Sequence, residues 1–176
     1  MDFDEVVSTR RSVRSYRSDP VPDDVLKRIL TAAQSAPSAN NVQPWRYIVA
    51  RDDATRKKIA DVAFNQAFIA EAPVVIVCCG KNYHDSYSWI ADNMFLVDCT
   101  ISFDHLTLAA RNEGLGTCWI GAFDHPQLKE ILEVPAGYDI VVLTPLGYPK
   151  SDKAFRPVSN RKPMSEIIFA EKFGRR

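Results

Sequence analysis

Arginine is concentrated near the start of this 176-residue chain, in the sequence Arg-Arg-Ser-Val-Arg-Ser-Tyr-Arg at residues 10–17, the arginine segment. A guanidinium group presents a planar fork of N–H donors that matches the oxygens of a phosphate. In extended backbone Arg10, Ser12 and Arg14 project to one side, because side chains alternate along it. The pattern therefore predicts a site for a compact anion, such as the phosphate of a small molecule. A solvated charged surface is the simpler alternative.

The polar loop, residues 35–44, is a second segment that could bind a ligand. Prolines stiffen its backbone, and its neutral donors and acceptors are Ser38, Asn40, Asn41 and Gln43. Such groups could read the polar edge of a planar heterocycle. An ordinary turn and capping segment is the simpler interpretation when this loop is considered alone.

The glycine segment, residues 114–122, reads Gly-Leu-Gly-Thr-Cys-Trp-Ile-Gly-Ala. Gly116 and Gly121 would let backbone amides approach a flat ligand closely. The segment is not a dinucleotide-binding fingerprint, because it follows a predicted helix and its glycine spacing differs. No glycine precedes Gly80, so a glycine-built phosphate loop is excluded from the preceding part of the chain.

The overall charge narrows the class of partner. Lys plus Arg and Asp plus Glu each number 22, so the formal net charge is 0. Binding of a nucleic acid or a membrane through bulk charge is therefore not predicted. RNA recognition would also need aromatic side chains among the basic ones, and the arginine segment offers only Tyr16. The longest apolar run, residues 73–80, has the length of a strand rather than of a membrane span.

Nucleophilic and metal chemistry are not indicated. The chain contains no Gly-x-Ser-x-Gly motif. Its histidines are about 20 residues apart and form no metal-ligand pattern; they are His84, His105 and His125. The four cysteines form no Cys-x-x-Cys pair, and their apolar surroundings predict buried free thiols in a reducing, cytoplasmic compartment.

These segments lie among helices and strands that do not alternate regularly, which predicts the α+β class and one domain over residues 1–176. An amphipathic helix begins at Pro22 and ends before the polar loop. A long helix, apolar on all sides, is predicted from Trp89 to Asn112. It carries Asp92, Asp98 and Asp104. Strands are predicted at residues 46–50, 73–79, 117–123 and 140–146, and short helices near residues 3–7, 54–63 and 124–132.

The arginine segment, the polar loop and the glycine segment, in this order, resemble the nitroreductase family of FMN-dependent oxidoreductases. The matching pieces are Arg10–Arg14, Ala36–Ser38 with Asn41, Gln43–Trp45, Glu71–Val77, Gly114–Gly121 and Arg161–Pro163. The similarity covers nearly the whole chain, and its first and fifth pieces are specific in combination.

The resemblance implies an α+β fold with a mixed sheet flanked by helices and a long central helix. It implies a homodimer with FMN at the subunit interface. It also implies electron transfer from NADH or NADPH through FMN to a nitroaromatic, a quinone or a similar electrophile, in a ping-pong order. No catalytic side chain and no metal are expected, because the chemistry belongs to the cofactor.

The resemblance also assigns residues to the FMN site. The phosphate and ribityl chain would be held by Arg10, Arg11, Ser12, Arg14 and Arg161. Polar atoms of the ribityl chain or the flavin would be contacted by Ser38, Asn41 and Gln66. Backbone amides near flavin N5 would come from Gly121 and Ala122.

The acceptor stays open at this stage. The chain is short for the family, and residues 81–89, with Tyr83, Tyr87 and Trp89, are expected where a cover or a partner wall would lie. One alternative is a specialised branch, such as a reductive dehalogenase or a flavin-fragmenting enzyme. Another is an FMN-binding regulator or carrier without turnover, and a third is an RNA or anion binder without flavin.

Overall fold

A computed structural model describes residues 1–83 and 92–175 of the chain. Its helices are α1 (Phe3–Thr9), α2 (Asp23–Gln34), α3 (Asp53–Val62), α4 (Phe68–Glu71), α5 (Met94–Asn112), α6 (His125–Ile131) and α7 (Met164–Ile167). Its strands are β1 (Trp45–Ala50), β2 (Val74–Lys81), β3 (Gly116–Thr117) and β4 (Tyr138–Gly147). The mixture of helices and strands confirms the predicted α+β class.

The strands form one sheet in the order β1-β2-β4-β3, and neighbouring strands are antiparallel. A parallel bridge between Ser12 and Thr117 extends the sheet beyond β3. Strand β2 lies inside the sheet, and all of its residues except Lys81 are buried. This burial on both faces explains why β2 is a continuous apolar run rather than an alternating one.

Helices cover both faces of the sheet, and alternate residues of β2 show this directly. Val74 and Ile76 pack in a core with α2 and α5, whereas Val75 and Val77 pack in a core with α3 and α6. Helix α5 lies very close to β2: a Cβ atom at Gly80 would stand 2.7 Å from the Sγ atom of Cys99. The long central helix is therefore a principal wall of the core.

Two predicted elements differ from the structure. The long helix begins at Met94 in the described residues, and His84, Tyr87 and Trp89 lie outside them. The predicted strand at residues 117–123 was wrong: the ladder stops at Thr117, and beyond it only Ile120 forms a bridge, with Leu143. The ladder is interrupted because the N–H of Cys118 donates to the side chain of Thr144 rather than to a backbone carbonyl.

In the described ranges no helix is long and apolar enough to cross a membrane.

Candidate functional site

The arginine segment runs along the edge of the sheet next to β3. Helix α1 ends at Thr9, and the φ and ψ angles of Arg10, −59° and 129°, turn the chain out of the helix. The N–H of Val13 donates to the carbonyl of Thr117 over 2.8 Å, beside the Ser12 bridge. The segment is thus fixed to the sheet by backbone hydrogen bonds.

Gly116 makes this close packing possible. A Cβ atom at this position would lie 2.7 Å from Cγ2 and 2.8 Å from Cβ of Val13, far inside van der Waals contact. The sequence interpretation of Gly116 as a point of ligand approach was therefore wrong, because the space above it is occupied by Val13. Its glycine is needed for the seating of the arginine segment.

Tyr16 anchors the far end of the segment. Its ring is buried, its hydroxyl donates to the carbonyl of Val13 over 2.6 Å, and its N–H donates to Glu71 over 3.2 Å. Glu71 in turn pairs with Lys150 at 3.0 Å, and this hydrogen bond is the main reason that the pKa of Glu71 is lowered. The segment is thus held at both ends.

A cavity of about 360 Å³ opens beside this segment, and it is lined by Arg10, Arg11, Ser12, Arg14, Val158 and Arg161. The structure thus brings the five residues predicted to hold the phosphate around one space. Arg11 lines it as well, although strict alternation would have turned its side chain away. Val158 was not predicted, since an aliphatic residue in a polar tail gives no sequence pattern.

The carboxyl-terminal tail reaches the cavity because two contacts hold it against α1 and α5. The N–H of Val158 donates to the carbonyl of Ser8 over 3.3 Å. The buried guanidinium of Arg111 lies 4.2 Å from the ring centroid of Phe155 and donates to Thr9 over 2.9 Å. Sequence reasoning missed Arg111, which resembles an ordinary basic residue at the end of a helix.

The cavity carries strong, uncompensated positive charge. Among the described residues, no carboxylate forms an ion pair with any of the four lining arginines. The thiol of Cys118 lies near them: burial raises its pKa, while Arg14 and a hydrogen bond with Ser12 act in the opposite direction. Four guanidinium groups without carboxylate partners have the charge and the donor geometry to bind a polyvalent anion.

Gly121 and Ala122 lie on the same edge of the sheet as the arginine cavity. Both are exposed, and among the described residues neither N–H donates to a backbone or side-chain acceptor. A Cβ atom at Gly121 would meet nothing within 4 Å. The four residues from Thr117 to Gly121 span at most about 14 Å. The free amide of Gly121 therefore lies at most about 14 Å from Thr117, the residue that pairs with Ser12 of the arginine segment.

Gln66 belongs to the surroundings of these amides. It follows α3 in a turn, and its side-chain amide donates to the carbonyl of Ala63 over 2.9 Å. The neighbouring carbonyl of Val62 accepts the N–H of Asp124 over 2.8 Å, which brings the turn beside the residues after Ala122. Trp119 is half-buried, and its ring makes a T-shaped contact with Phe103, with centroids 4.7 Å apart.

The polar loop has an unusual and well-defined backbone. Asn40, Asn41 and Gln43 have φ angles of 48°, 57° and 51°, in the left-handed region. The hydroxyl of Ser38 accepts the N–H of Gln43 over 2.9 Å, and the side-chain amide of Gln43 donates to the carbonyl of Asn41. Backbone of this kind persists only where its surroundings fix it, and it is concentrated at ligand-binding sites.

The polar loop and the arginine segment lie at opposite corners of the sheet. The loop leads into β1 at one edge, and the arginine segment lies four strand spacings away, about 19 Å. Trp45 pairs with Gly80 of β2, which in turn pairs with Asp139 of β4, whereas Thr117 pairs with Leu146 of β4. The separation of Asp139 and Leu146 along β4 adds an offset of about 24 Å in the strand direction. Ser38 and Asn41 are therefore not part of the arginine cavity of their own chain.

Across residues 1–83 and 92–175 no three His, Cys, Asp or Glu side chains are arranged to hold a metal ion.

Comparison with known proteins identifies the family. A family model described as the nitroreductase family matches residues 7–69 and 62–148. A protein of Thermus thermophilus named NADH dehydrogenase is 30% identical over 96% of this chain and 95% of its own length. The FMN reductase [NAD(P)H] of Bacillus subtilis is 34% identical over 95% of this chain and 72% of its own length.

Solved structures and more distant relatives agree with this match. The crystal structure of a nitroreductase family protein from Clostridium novyi NT superposes with a TM-score of 0.79 at 31% identity, covering 99% of this chain and 96% of that one. Relatives with other names include an iodotyrosine dehalogenase 1 homolog of Caenorhabditis elegans, 28% identical, and a 5,6-dimethylbenzimidazole synthase of Rhodospirillum rubrum, 29% identical. The match to the dehalogenase homolog covers 94% of this chain and 60% of that protein. The match to the synthase covers 85% of this chain and 83% of that protein. The chain belongs to the nitroreductase family.

Proposed function

We propose that this chain is an FMN-dependent oxidoreductase that takes electrons from NADH or NADPH and passes them to a small electrophile, such as a nitroaromatic or a quinone, in a ping-pong order. The observation that carries the proposal is the arginine cavity, in which four guanidinium groups and the Ser12 hydroxyl surround one space without a carboxylate partner among the described residues. The proposal places the protein in the cytoplasm, where reducing conditions keep thiols free, and its four cysteines are free and buried.

The residues of the cavity fit the phosphate end of FMN. A phosphate monoester is close to a dianion at neutral pH, with a second pKa of about 6. Arginines bind its oxygens in pairs of parallel N–H···O hydrogen bonds, so Arg10, Arg14 and Arg161 match the charge of this group. The serine hydroxyl adds a neutral donor. A ligand without a phosphate would leave this concentration of positive charge unbalanced.

The amides of Gly121 and Ala122 fit the other end of the molecule. Gly121 lies at most about 14 Å from Thr117, the residue that pairs with Ser12, and a ribityl chain between phosphate and ring can bridge a distance of this order. Two backbone donors in a fixed position can stabilise negative charge on a flavin without any titratable side chain. Gln66, beside them, would offer an amide to the polar edge of the ring.

The position of the polar loop supports a homodimer with FMN at the subunit interface. Its corner of the sheet and that of the arginine segment are roughly 30 Å apart, which is longer than an FMN molecule. Ser38 and Asn41 can therefore contact the same FMN only when they come from a second copy of the chain. Leu96 and Val97, exposed on α5, provide an apolar surface for such a contact.

When bound, FMN supplies the hydride and electron chemistry. The chain itself contributes binding, orientation and polarity: the arginines fix the phosphate, and the amides of Gly121 and Ala122 hold the flavin edge. No side-chain acid, base or nucleophile is required.

The names of the more distant relatives favour a specialised branch as the second candidate. A reductive dehalogenase would use the same FMN site and a halogenated acceptor, and a flavin-fragmenting enzyme would consume the flavin itself. A flavin carrier would bind FMN without exchanging electrons. These alternatives share the cavity and differ in the reaction of the bound flavin, so turnover rather than structure separates them.

Anaerobic reduction tests the proposal. The purified protein should be yellow, and heating should release FMN. Addition of NADH or NADPH without oxygen should bleach the flavin absorbance, and a quinone or a nitroaromatic should restore it. A colourless protein that cannot be reconstituted with FMN would contradict the proposal. Bound FMN that neither NADH nor NADPH reduces would favour the carrier, and loss of the flavin during turnover would favour the fragmenting enzyme.

A further inference from the structure

Asp98 is a buried acid that the proposed function does not use. It lies on α5, its side chain is nearly inaccessible to solvent at 2% exposure, and no guanidinium or ammonium group pairs with it among the described residues. A buried carboxylate is costly unless hydrogen bonds compensate it. The groups that bind Asp98 therefore indicate why it is there.

Both oxygens of this carboxylate are used. Oδ1 accepts the backbone N–H of Ala39 over 3.1 Å, and Oδ2 accepts the hydroxyl of Tyr83 over 2.6 Å. Burial, and then the hydrogen bond to Asp98, raise the pKa of Tyr83, so its phenol remains protonated and donates at neutral pH. Asp98 thus connects the polar loop to Tyr83, two residues beyond the end of β2.

Apolar packing strengthens the same connection. Ala39 and Val42, on either side of Asn40 and Asn41, pack against Tyr83 and Phe95. Left-handed backbone brings the Cβ atom close to the following carbonyl oxygen; asparagine tolerates it at positions 40 and 41, whereas Gln43 adopts it against its steric preference. The hydrogen bond at Ala39 lies where the chain enters this strained turn, and it opposes relaxation of the turn.

We propose that Asp98 is the positioning residue of the polar loop, fixing Ser38 and Asn41 so that they bind the uncharged part of the flavin. This inference rests on the proposed function. Asp98 does not touch the ligand, and it acts through the backbone of Ala39. Its contribution should therefore be independent of the phosphate, which the arginine cavity holds at a distant corner of the same chain.

Titration of the apo-protein with FMN and with riboflavin, which lacks the phosphate, tests this inference. Asp98→Leu should lower the affinity for both flavins at least tenfold and leave the ratio of the two affinities at its wild-type value. Asp98→Asn should retain more affinity than Asp98→Leu, because its amide oxygen can still accept the Ala39 N–H. Asp104→Leu, a change at an exposed aspartate of the same helix, is the matched control and should bind as wild type does.

The outcomes separate the two proposals. If wild-type protein binds neither flavin, the proposed function and this inference both fail. If wild type binds FMN and folded Asp98→Leu binds both flavins equally well, only the inference fails. A changed FMN-to-riboflavin ratio would also overturn it, because Asp98 would then act on the phosphate site. If Asp98→Leu does not fold, Asp98→Ala decides, since it also removes the acceptor of the Ala39 N–H but adds no bulk to the buried site. Unchanged affinity of folded Asp98→Ala for both flavins overturns the inference.

Discussion

At the scale of single residues, the proposed phosphate site depends on individual guanidinium groups. We expect Arg14→Ala to lower FMN affinity roughly 10- to 100-fold, because a hydrogen bond to a charged group contributes about 1.5–3 kcal/mol. Riboflavin affinity should remain near the wild-type value. Fluorescence titration of the apo-protein with both flavins measures this. Arg17→Ala is the control, since Arg17 pairs with Asp19 at 3.2 Å outside the cavity. An equal loss for both flavins would contradict the assignment of Arg14 to the phosphate.

Residue types near the arginine cavity could be read from the sequence, whereas Asp98 could not. Guanidinium groups indicate an anion wherever they cluster, so Arg10, Ser12 and Arg14 were predictable before any fold was known. Helix α5 is apolar on all sides, so its periodicity does not tell which aspartate turns inward. Asp98 is buried and Asp104 is exposed, and only the packing of the polar loop on α5 separates them.

At the scale of elements, the packing of the arginine segment against β3 should affect both the free energy of unfolding and the affinity for FMN. We expect Gly116→Ala to lower the free energy of unfolding by about 1–3 kcal/mol, because the new Cβ atom must displace Val13. FMN affinity should fall as well, since the displaced segment carries the arginines. Thermal melting of the apo-protein and FMN titration measure the two effects.

Gly121→Ala is the matched control for stability. Its new Cβ atom would meet nothing within 4 Å, and neither Gly116 nor Gly121 has a positive φ angle, so only the packing differs between the two changes. Its melting temperature should equal that of wild type. A Gly116→Ala protein that melts at the wild-type temperature and keeps its FMN affinity would show that the segment does not depend on this contact.

Elements with a strong apolar pattern were predicted well, and those fixed by side chains were not. Strand β2 and helices α2, α3 and α6 agree with their predicted ranges within a few residues. The predicted strand at residues 117–123 failed because the hydroxyl of Thr144 replaces a backbone acceptor for Cys118. A hydrogen bond between Cys118 and Thr144, which are far apart in sequence, cannot be predicted from the local pattern of apolar residues.

At the scale of the whole molecule, one sheet carries the two segments of the proposed FMN site at opposite corners. The arginine segment and Gly121 share one edge, and the polar loop lies roughly 30 Å from the arginine corner. A homodimer with twofold symmetry would bring each polar loop to the arginine corner of its partner, which gives two identical sites per dimer. Each site would then contain residues from both chains, and this makes the dimer testable by complementation.

We expect two defective subunits to restore one site between them. One subunit carries Arg10→Ala with Arg14→Ala, and the other carries Ser38→Ala with Asn41→Ala. Each homodimer alone should bind FMN weakly, whereas a mixed dimer, isolated through two different affinity tags, should contain one intact site and one with both defects. Equilibrium titration should then give one tight FMN per mixed dimer, against two for wild type. If all these residues of one chain served one FMN, mixing would restore no tight site, and FMN would not bind across the interface.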